Sequence, residues 1–321
     1  MKSFKRLIFL VGAFKVGSYA YDLGWEIYHR NYLEPYNFPQ RYGESSYALV
    51  TGSTDGYGKS YARELARRGL NLVLVARNGE KLEKTKQEIQ NDFGVKVETI
   101  QYDFLNSPNY ETLLEIDRQT RDLDVSVLVN NVGAFASGEF VDLTPKQLNE
   151  LIAVNIYPVT FLTHAFARRF YKRSKRSAII NVGSEAGEVP YPYLQAYAGT
   201  KSYDNHFTLS FREEVKDKID VVAHMPGPST TPMNAEIASR LDVRKYALFF
   251  KFFEAAFVDS HEANVVSTLN QLGINHYVAG SAKHTLTLEA TKMFGPLSVW
   301  FRTVHGKIMV DISKDKPPRD W

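Results

Sequence analysis

The chain has 321 residues, of which 44% are hydrophobic and 23% charged, a balance typical of globular proteins rather than disordered ones. The formal net charge of +3 gives no reason to expect a nucleic-acid or polyanion partner. The chain contains no cysteine, which excludes disulfides, thiolate catalysis and cysteine-ligated metals.

The N-terminal segment differs from the rest of the sequence. Residues 1–21 carry four basic side chains and no acidic one around the apolar run Leu7 to Phe14. A membrane-spanning helix needs about 20 apolar residues, and Lys15 interrupts this run after eight. Three interpretations stay open: a signal anchor, a mitochondrial targeting segment, and an amphipathic helix in a membrane interface.

The next stretch mixes aromatic side chains with Arg30 and Arg41, a combination typical of the lipid headgroup boundary. Its aromatic residues are Trp25, Tyr28, Tyr32, Tyr36, Phe38 and Tyr42. The alternative is an arm packed on the domain that follows. We favour membrane association and predict a membrane or interface segment over residues 1–44.

From Ser46 onward, strand-like apolar runs alternate with helix-length segments. The predicted strands cover residues 47–50, 71–76, 97–102, 125–130, 177–182 and 221–225. Parallel strands need helical crossovers, so the pattern predicts an α/β fold. We expect a Rossmann-type, doubly wound parallel sheet with helices on both faces over residues 45–275. Residues 276–321 are predicted as an extension packed on or beside this domain.

A glycine-rich turn follows the first strand directly and precedes a helical pattern. Its first glycine permits a tight turn, its second lets the backbone approach a pyrophosphate, and its third allows close packing at the helix start. The helix N-terminus then favours phosphate charge. The predicted cofactor-binding residues of this turn are Gly52, Ser53, Thr54, Asp55, Gly56, Tyr57 and Gly58.

The end of the second strand predicts which nucleotide binds. NAD enzymes usually place an acidic residue there for the ribose 2′-hydroxyl, whereas this sequence has Arg77. A guanidinium pairs with a 2′-phosphate that a carboxylate would repel. Lys59, Arg63 and Lys81 add positive potential in this interpretation. The cofactor is therefore predicted to be NADP(H).

A second group of residues predicts the reaction. Tyr197 and Lys201 are four residues apart, so a helix places both on one face, and Ser184 follows a predicted strand. Carbonyl reduction needs a proton donor, a cation that makes the donor acidic, and a hydrogen bond that fixes the carbonyl. Tyr197, Lys201 and Ser184 can fill these three roles in turn.

With these motifs, the sequence resembles the short-chain dehydrogenase/reductase family from about Ser46 to Leu272. The resemblance implies that Asn155 completes a catalytic tetrad and supports a proton-relay water, and that Lys201 also holds the nicotinamide ribose. It implies further cofactor contacts from Asp103, the Asn130-Asn131-Val132-Gly133 motif, and Pro226-Gly227 with Thr230 or Thr231. The implied cofactor-binding set thus includes Asp103, Asn130, Gly133, Tyr197, Lys201, Pro226, Gly227 and Thr230.

Within that family, residues 51–62 resemble the beta-ketoacyl-CoA reductase and hydroxysteroid dehydrogenase group, whose members carry N-terminal membrane segments and reduce lipid-like ketones. The resemblance implies a lipid-like ketone or alcohol substrate such as a beta-ketoacyl thioester or steroid. From the resemblance together with the N-terminal segment, we predict an intracellular membrane location, either the endoplasmic reticulum or the mitochondrial inner membrane. The alternative function is an accessory subunit of a membrane complex that keeps the nucleotide fold for structural reasons. A homo-oligomer or a membrane-complex partner fits either function.

Three further features are predicted to be structural. The basic run of residues 168–176 ends a predicted helix and is expected to face solvent, not nucleic acid. The eight histidines form no i,i+4 pair, so no metal site is predicted. The aromatic cluster Phe249, Phe250, Phe252 and Phe253 is expected to pack in the core; the alternatives are that it lines an acyl pocket, covers the site, or is buried in a membrane or a partner.

Overall fold

The computed structural model describes residues 2–32, 34–106, 109–231, 233, 235, 251, 254–255 and 257–311. Its first element, α1, is a helix over Lys2–Tyr32 that exposes large apolar side chains such as Phe14 and Trp25. Among the described residues, no helix combines the length and apolar character that crossing a membrane requires. The aromatic cluster between residues 249 and 253 lies outside the described residues.

A short helix, α2 (Phe38–Tyr42), joins α1 to the sheet. Phe38 and Tyr42 are buried in the main core, and the Tyr42 hydroxyl donates to Asp220 at 2.9 Å. Arg41 forms an ion pair of 2.7 Å with the same carboxylate. Residues 38–42 therefore follow the packed-arm alternative, because their aromatic and charged groups are engaged by the domain.

Over the residues that the structure describes, seven parallel strands form one sheet in the order β3-β2-β1-β4-β5-β6-β7. The strands are β1 (Tyr47–Thr51), β2 (Asn71–Ala76), β3 (Val97–Gln101), β4 (Val125–Asn130), β5 (Ser177–Val182), β6 (Ile219–His224) and β7 (Tyr277–Val278). Three of them have the predicted bounds. The two-residue β7 was not predicted, and it lies in the segment expected as a C-terminal extension.

Helices cover both faces of this sheet, as predicted. They are α3 (Gly56–Arg67), α4 (Gly79–Phe93), α5 (Tyr110–Gln119), α6 (Pro145–Asn155), α7 (Tyr157–Phe170), α8 (Gln195–Val215), α9 (His261–Asn270), α10 (Ala282–Met293) and α11 (Gly295–Asp311). Val50 of β1 packs with Leu65 of α3, whereas its neighbour Leu49 packs with Phe166 of α7. Since successive strand side chains point to opposite faces, this alternation defines two core layers.

The prediction of a solvated basic face for residues 168–176 is wrong for three of its arginines. Arg169 pairs with Asp117, Arg173 with Asp124, and Arg176 with Asp220. Arg173 also donates to the Tyr42 carbonyl at 2.6 Å. The sequence showed where the helix ends but not which acids lie beside it. These guanidinium groups join the ends of strands and helices at the edge opposite the glycine turn.

Candidate active site

The carboxyl ends of the parallel strands meet along one edge of the sheet, where ligands bind in open α/β folds. A cleft of about 2050 Å³ opens there between the glycine turn, the loops after β4 and β5, and α11. Most of the predicted site residues line it. They are Gly52, Thr54, Asp55, Gly56, Tyr57, Arg77, Asp103, Gly133, Ser184, Tyr197, Lys201, Pro226, Gly227 and Thr230.

The glycine turn has the backbone that the sequence requires. Gly52 and Gly56 adopt positive φ values of 63° and 49°, a region that favours glycine. A Cβ on Gly58 would collide with the Gly52 carbonyl oxygen, so Gly58 permits the close packing of turn and helix. Within the described part of the chain, Asp55 at the N-cap makes no side-chain hydrogen bond to the first turn of α3. The exposed N–H groups there suit a phosphate.

Two predicted contacts point elsewhere. The amide of Asn130 donates to Thr163 at 3.1 Å and to Asn181 at 2.9 Å, inside the layer between β4, β5 and α7. Ser53 is fully buried and directs its hydroxyl at the Val75 carbonyl, 3.4 Å away. Neither residue lines the cleft, and it is Asn131 that reaches the glycine turn, donating to the Thr51 carbonyl at 3.0 Å.

The cations near the end of β2 are not equivalent. Three of them are bound to acids: Lys59 to Glu88 at 2.6 Å, Arg63 to Asp92 at 2.8 Å, and Lys81 to Asp55 at 2.7 Å. Arg77 is exposed at the cleft and forms no ion pair with the residues that the structure describes. The acids therefore largely cancel the positive potential predicted for the other three cations, whereas the guanidinium of Arg77 is available to pair with a ligand.

The proposed proton donor, Tyr197, lies in the first turn of α8 and is partly exposed to the cleft. Its ring makes an edge contact with Phe135, with the ring centroids 4.9 Å apart. One turn later, the Lys201 ammonium donates to the Val182 carbonyl at 2.9 Å and to Asp204 at 3.0 Å. Both side chains thus reach the cleft from one face of the helix, as their spacing predicted.

Ser184 lies directly beyond β5, in the loop that faces Tyr197 across the cleft. Its hydroxyl accepts from the Ala186 N–H at 3.1 Å and donates to the Pro226 carbonyl at 3.4 Å. The bond to Pro226 is long, so a carbonyl oxygen bound in the cleft can compete for this proton.

Asn155 lies at the C-terminus of α6, behind the cleft lining. Its side chain accepts from the Ala134 N–H at 2.7 Å and donates to the Ala134 carbonyl and to the Thr200 hydroxyl. Thr200 immediately precedes Lys201 on α8. Asn155 therefore joins the loop after β4 to the helix that carries Tyr197 and Lys201.

A buried histidine holds the loop after β6. His284 accepts from the Gly227 N–H at Nδ1 and donates from Nε2 to the Pro228 carbonyl at 3.0 Å, which fits the neutral ring protonated at Nε2. Asn264 donates both to this Nδ1 and to the Tyr57 hydroxyl. The hydrogen-bonded pair of Asn264 and His284 therefore connects the glycine turn to the Pro226-Gly227 loop.

Residues of α11 line one part of the cleft. Arg302 donates to the Glu185 carbonyl at 3.1 Å, and its guanidinium lies 4.7 Å from the centre of the Tyr191 ring. The Tyr191 hydroxyl contacts His305 at 2.8 Å. Burial and the charge of Arg302 lower the pKa of His305 to about 4. Met309, one turn later, also lines the cleft.

Sequence reasoning missed several residues that support the site: Asp204, Asn205, Asn264, His284 and Arg302. Two of them carried a usable signal, because Asp204 and Asn205 follow Lys201 and Tyr197 at three and eight residues on one helix face. The other three lie more than 30 residues beyond the Pro226-Gly227 motif, and no spacing rule links them to it.

The comparisons with known proteins agree with this geometry. Residues 46–242, more than half of the chain, match the family model for short chain dehydrogenases. The chain belongs to the short-chain dehydrogenase family. This match confirms the predicted family, and the relatives that belong to it are oxidoreductases.

Individual relatives refine this picture. A very-long-chain 3-oxoacyl-CoA reductase of Laccaria bicolor is 32% identical over 68% of this chain and 65% of its own length. An inactive hydroxysteroid dehydrogenase-like protein 1 of Homo sapiens is 37% identical over 61% of this chain and 59% of its own length. The chain thus spans less than two thirds of the length of these curated relatives.

Among solved structures, a short-chain dehydrogenase from Sphingobium yanoikuyae in complex with NADPH superimposes with a TM-score of 0.63 at 26% identity. The alignment covers 86% of this chain and 100% of that one. The chain therefore shares the fold of a protein that was solved in complex with NADPH.

Proposed function

We propose that this protein is an NADP(H)-dependent oxidoreductase that reduces a ketone, or oxidises a secondary alcohol, on a lipid-like substrate. The observation that carries the proposal is that Ser184, Tyr197 and Lys201 line the same cleft as the glycine turn. A hydride carrier and a proton donor are both needed for carbonyl reduction, and this cleft has room and suitable groups for each.

In this proposal the chain supplies the proton and fixes the carbonyl. The Ser184 hydroxyl donates a hydrogen bond to the substrate oxygen, and Tyr197 donates its phenolic proton as negative charge develops there. The Lys201 ammonium makes the phenol a better acid and holds the ribose of the nucleotide. A nucleotide bound in this cleft would supply the hydride.

Asn155 has a supporting part. Because its amide bonds Ala134 and Thr200, it keeps α8 in register with the loop after β4. The proton-relay water that the family resemblance implies for Asn155 stays a prediction.

The preference for NADP(H) over NAD(H) is supported by Arg77. Its neighbours Lys59, Arg63 and Lys81 are already paired with acids, so Arg77 is the cation that a 2′-phosphate meets. Asp103 contacts the adenine end in the same proposal, and the Pro226-Gly227 loop and Thr230 contact the nicotinamide end.

A lipid-like substrate fits the far end of the cleft. Apolar groups from Phe135, Leu194 and Met309 line it beside the proposed donor Tyr197. The relatives named as very-long-chain 3-oxoacyl-CoA reductases support a long acyl thioester in particular. A steroid ketone is the second member of the proposed substrate class.

We further propose that α1 associates with an intracellular membrane, while residues 38–44 belong structurally to the catalytic domain. Support comes from the apolar side chains that α1 exposes, including Phe4, Leu7, Phe9, Leu10, Val11 and Phe14. In this division, residues 1–32 are the membrane segment, and β7, α10 and α11 complete the domain.

The test of the proposed function is direct. The purified full-length protein is mixed with NADPH and a panel of beta-ketoacyl thioesters and ketosteroids, and NADPH oxidation is followed by absorbance. The proposal predicts turnover of at least one long-chain or steroid ketone. A protein that binds NADPH but turns over no ketone of the panel would contradict it and would favour an accessory subunit.

A further inference from the structure

The ammonium of Lys201 is bound to a carboxylate that the family resemblance does not assign. Asp204 lies three residues further along α8, and its Oδ2 accepts from Lys201 Nζ at 3.0 Å. The side chains of both residues are less than a tenth exposed. The second Lys201 bond, of 2.9 Å, goes to the Val182 carbonyl at the end of β5.

This ion pair is buried where α8 packs against the loop after β5. The missing Cβ of Gly187 lets the backbone of Lys201 and Ser202 approach that loop. A buried ammonium without a counter-ion is costly, and removing one partner of a buried pair leaves the other charge uncompensated. Asp204 therefore provides the charge that makes a buried, protonated Lys201 tolerable.

The charges that act on this pair are few. On α8 itself, Tyr197 and Asp204 act on Lys201, and Lys201 acts on Asp204. From the loop packed against α8, Glu188 accepts from Asn205 at 2.7 Å, and burial raises the pKa of Glu185, partly offset by Arg302.

The remaining neighbours add little charge. On β6, burial lowers the pKa of His224 to about 3, so that this ring is neutral near pH 7. On α6, the nearest polar group is the uncharged amide of Asn155. In the described part of the site, Asp204 is thus the counter-ion of Lys201.

We propose that Asp204 is a positioning residue for the reductase reaction: its carboxylate keeps the Lys201 ammonium charged and held between Val182 and Tyr197. The proposal rests on the proposed function, in which Lys201 acidifies Tyr197. Asp204 touches neither the cleft nor a ligand, and it acts through Lys201 alone.

The pKa directions agree with this role. Burial works against the charged form of Lys201, but the attraction of Asp204, with smaller help from Tyr197, raises the pKa of the lysine above its ordinary value. Burial likewise raises the pKa of Asp204 to about 6, partly offset by Lys201. Near pH 7 both groups are therefore charged.

The sign of the expected effect follows from the charges. Ketone reduction needs Tyr197 protonated as donor and Lys201 protonated as cation. Removing the negative charge of Asp204 makes the first proton leave the Tyr197–Lys201 pair at lower pH. The alkaline limb of the kcat/KM profile then moves down, and charges in contact shift pKa values by about 1 to 3 units.

The variant Asp204→Asn tests this, since it keeps the shape of the side chain and removes its charge. We expect the alkaline limb for ketone reduction to move down by about one pH unit or more. Asp204→Glu should restore much of the limb because the charge is retained. Glu213→Gln is the matched control, an acid-to-amide change on the exposed side of the same helix that should leave the limb in place. An unmoved limb in active Asp204→Asn protein would overturn the proposal.

A second measurement needs no turnover, so it separates this proposal from the proposed function. Thermal unfolding is compared for Lys201→Met, Asp204→Leu and the double variant. Because the double variant removes both buried charges, it should unfold at a higher temperature than either single variant. A double variant no more stable than the weaker single variant would show that the two groups are not coupled. A wild-type protein that reduces no ketone would contradict the proposed function, while this comparison would still decide whether the pair exists.

Discussion

Asn205 binds both backbone polar groups of Ser184. Its amide nitrogen donates to the Ser184 carbonyl at 2.9 Å, and its oxygen accepts from the Ser184 N–H at 3.4 Å. The same amide contacts Glu188, and a Cβ on Gly183 would collide with its oxygen. One buried side chain of α8 therefore sets the position of the serine proposed to orient the substrate.

This contact predicts a specific defect for Asn205→Ala. Without the amide, the Ser184 N–H loses its bond to Asn205 and the Ser184 carbonyl keeps only the Gly187 N–H, so the loop after β5 is free to shift. We expect kcat to fall by about tenfold or more, since misplacing an orienting group by 1 Å is costly, while NADPH affinity stays near normal. Steady-state kinetics and fluorescence titration measure the two quantities. An equal loss in both would indicate general damage to the fold.

Arg77 predicts the nucleotide preference. Arg77→Asp should weaken NADPH binding by about tenfold to a hundredfold, because a charge-assisted bond is lost and a repulsion is gained, and should leave NADH binding unchanged or better. Arg212→Asp on α8 makes the same change of net charge away from the nucleotide and serves as control. Titration with both nucleotides gives the ratio of dissociation constants. Equal affinities of the unmodified protein for NADPH and NADH would refute the assignment.

Two truncations separate the membrane segment from the packed arm. Removing residues 1–33 should release the protein from membranes and leave its melting temperature nearly unchanged, because the large apolar side chains of α1 are exposed. Removing residues 1–40 also takes away Phe38, which is 1% exposed, and should cost about 3–5 kcal/mol of unfolding free energy. Vesicle flotation and thermal unfolding are the measurements. Full-length protein that stays in the aqueous phase beside vesicles would contradict the role of α1.

We expect two buried histidines to make the folded protein less stable in acid. Burial lowers the folded-state pKa of His305 to about 4 and that of His224 to about 3, from an ordinary value of 6.5. The stability that each neutral histidine contributes is complete above pH 6.5 and is lost as the pH falls toward 4 for His305 and toward 3 for His224, since the unfolded chain then binds more protons. Asp204 has the opposite effect. Because burial raises its folded-state pKa from 3.8 to about 6, the folded protein binds more protons between these two pH values, which offsets the loss of stability from one histidine there.

The variant His305→Gln isolates one of these protons. Between pH 6.5 and 4, it should reduce the slope of unfolding free energy against pH by up to about 1.4 kcal/mol per unit. Denaturant unfolding at several pH values measures the slope. Identical slopes for the variant and the unmodified protein would show that His305 is not held neutral by the fold.

Much of the fold could be predicted because its signals are local. In the run Asn71–Ala76 every residue after Asn71 is apolar, as expected for a strand buried on both faces, and the structure gives the strand the same bounds. The strand Tyr277–Val278 is too short to leave a pattern, and its place in the sheet depends on pairing with β6. For Phe38 and Tyr42 we favoured the membrane over burial in the domain. Aromatic residues mixed with arginine fit a membrane boundary and the edge of a core equally well, so the sequence could not separate the two.

The site residues also differ in whether a local signal predicts them. The spacing of Tyr197 and Lys201 on one helix is a local signal, and both side chains reach the cleft. Asn130 shows the limit of a motif, since the chain positions of Asn130 and Asn131 are known but the direction of each side chain depends on the layers around them. His284 and Arg302 reach the site through tertiary packing, to which sequence spacing gives no guide.

The most direct test of the central claim is the rate of ketone reduction by Tyr197→Phe, with NADPH and the best substrate of the ketone panel. The account predicts a fall in kcat of about 10² to 10⁴, the contribution of a positioned acid, with NADPH affinity retained because the glycine turn and Lys201 are unchanged. Tyr203→Phe, a hydroxyl removed from the exposed side of the same helix, should keep normal turnover. Undiminished turnover by Tyr197→Phe would contradict the account.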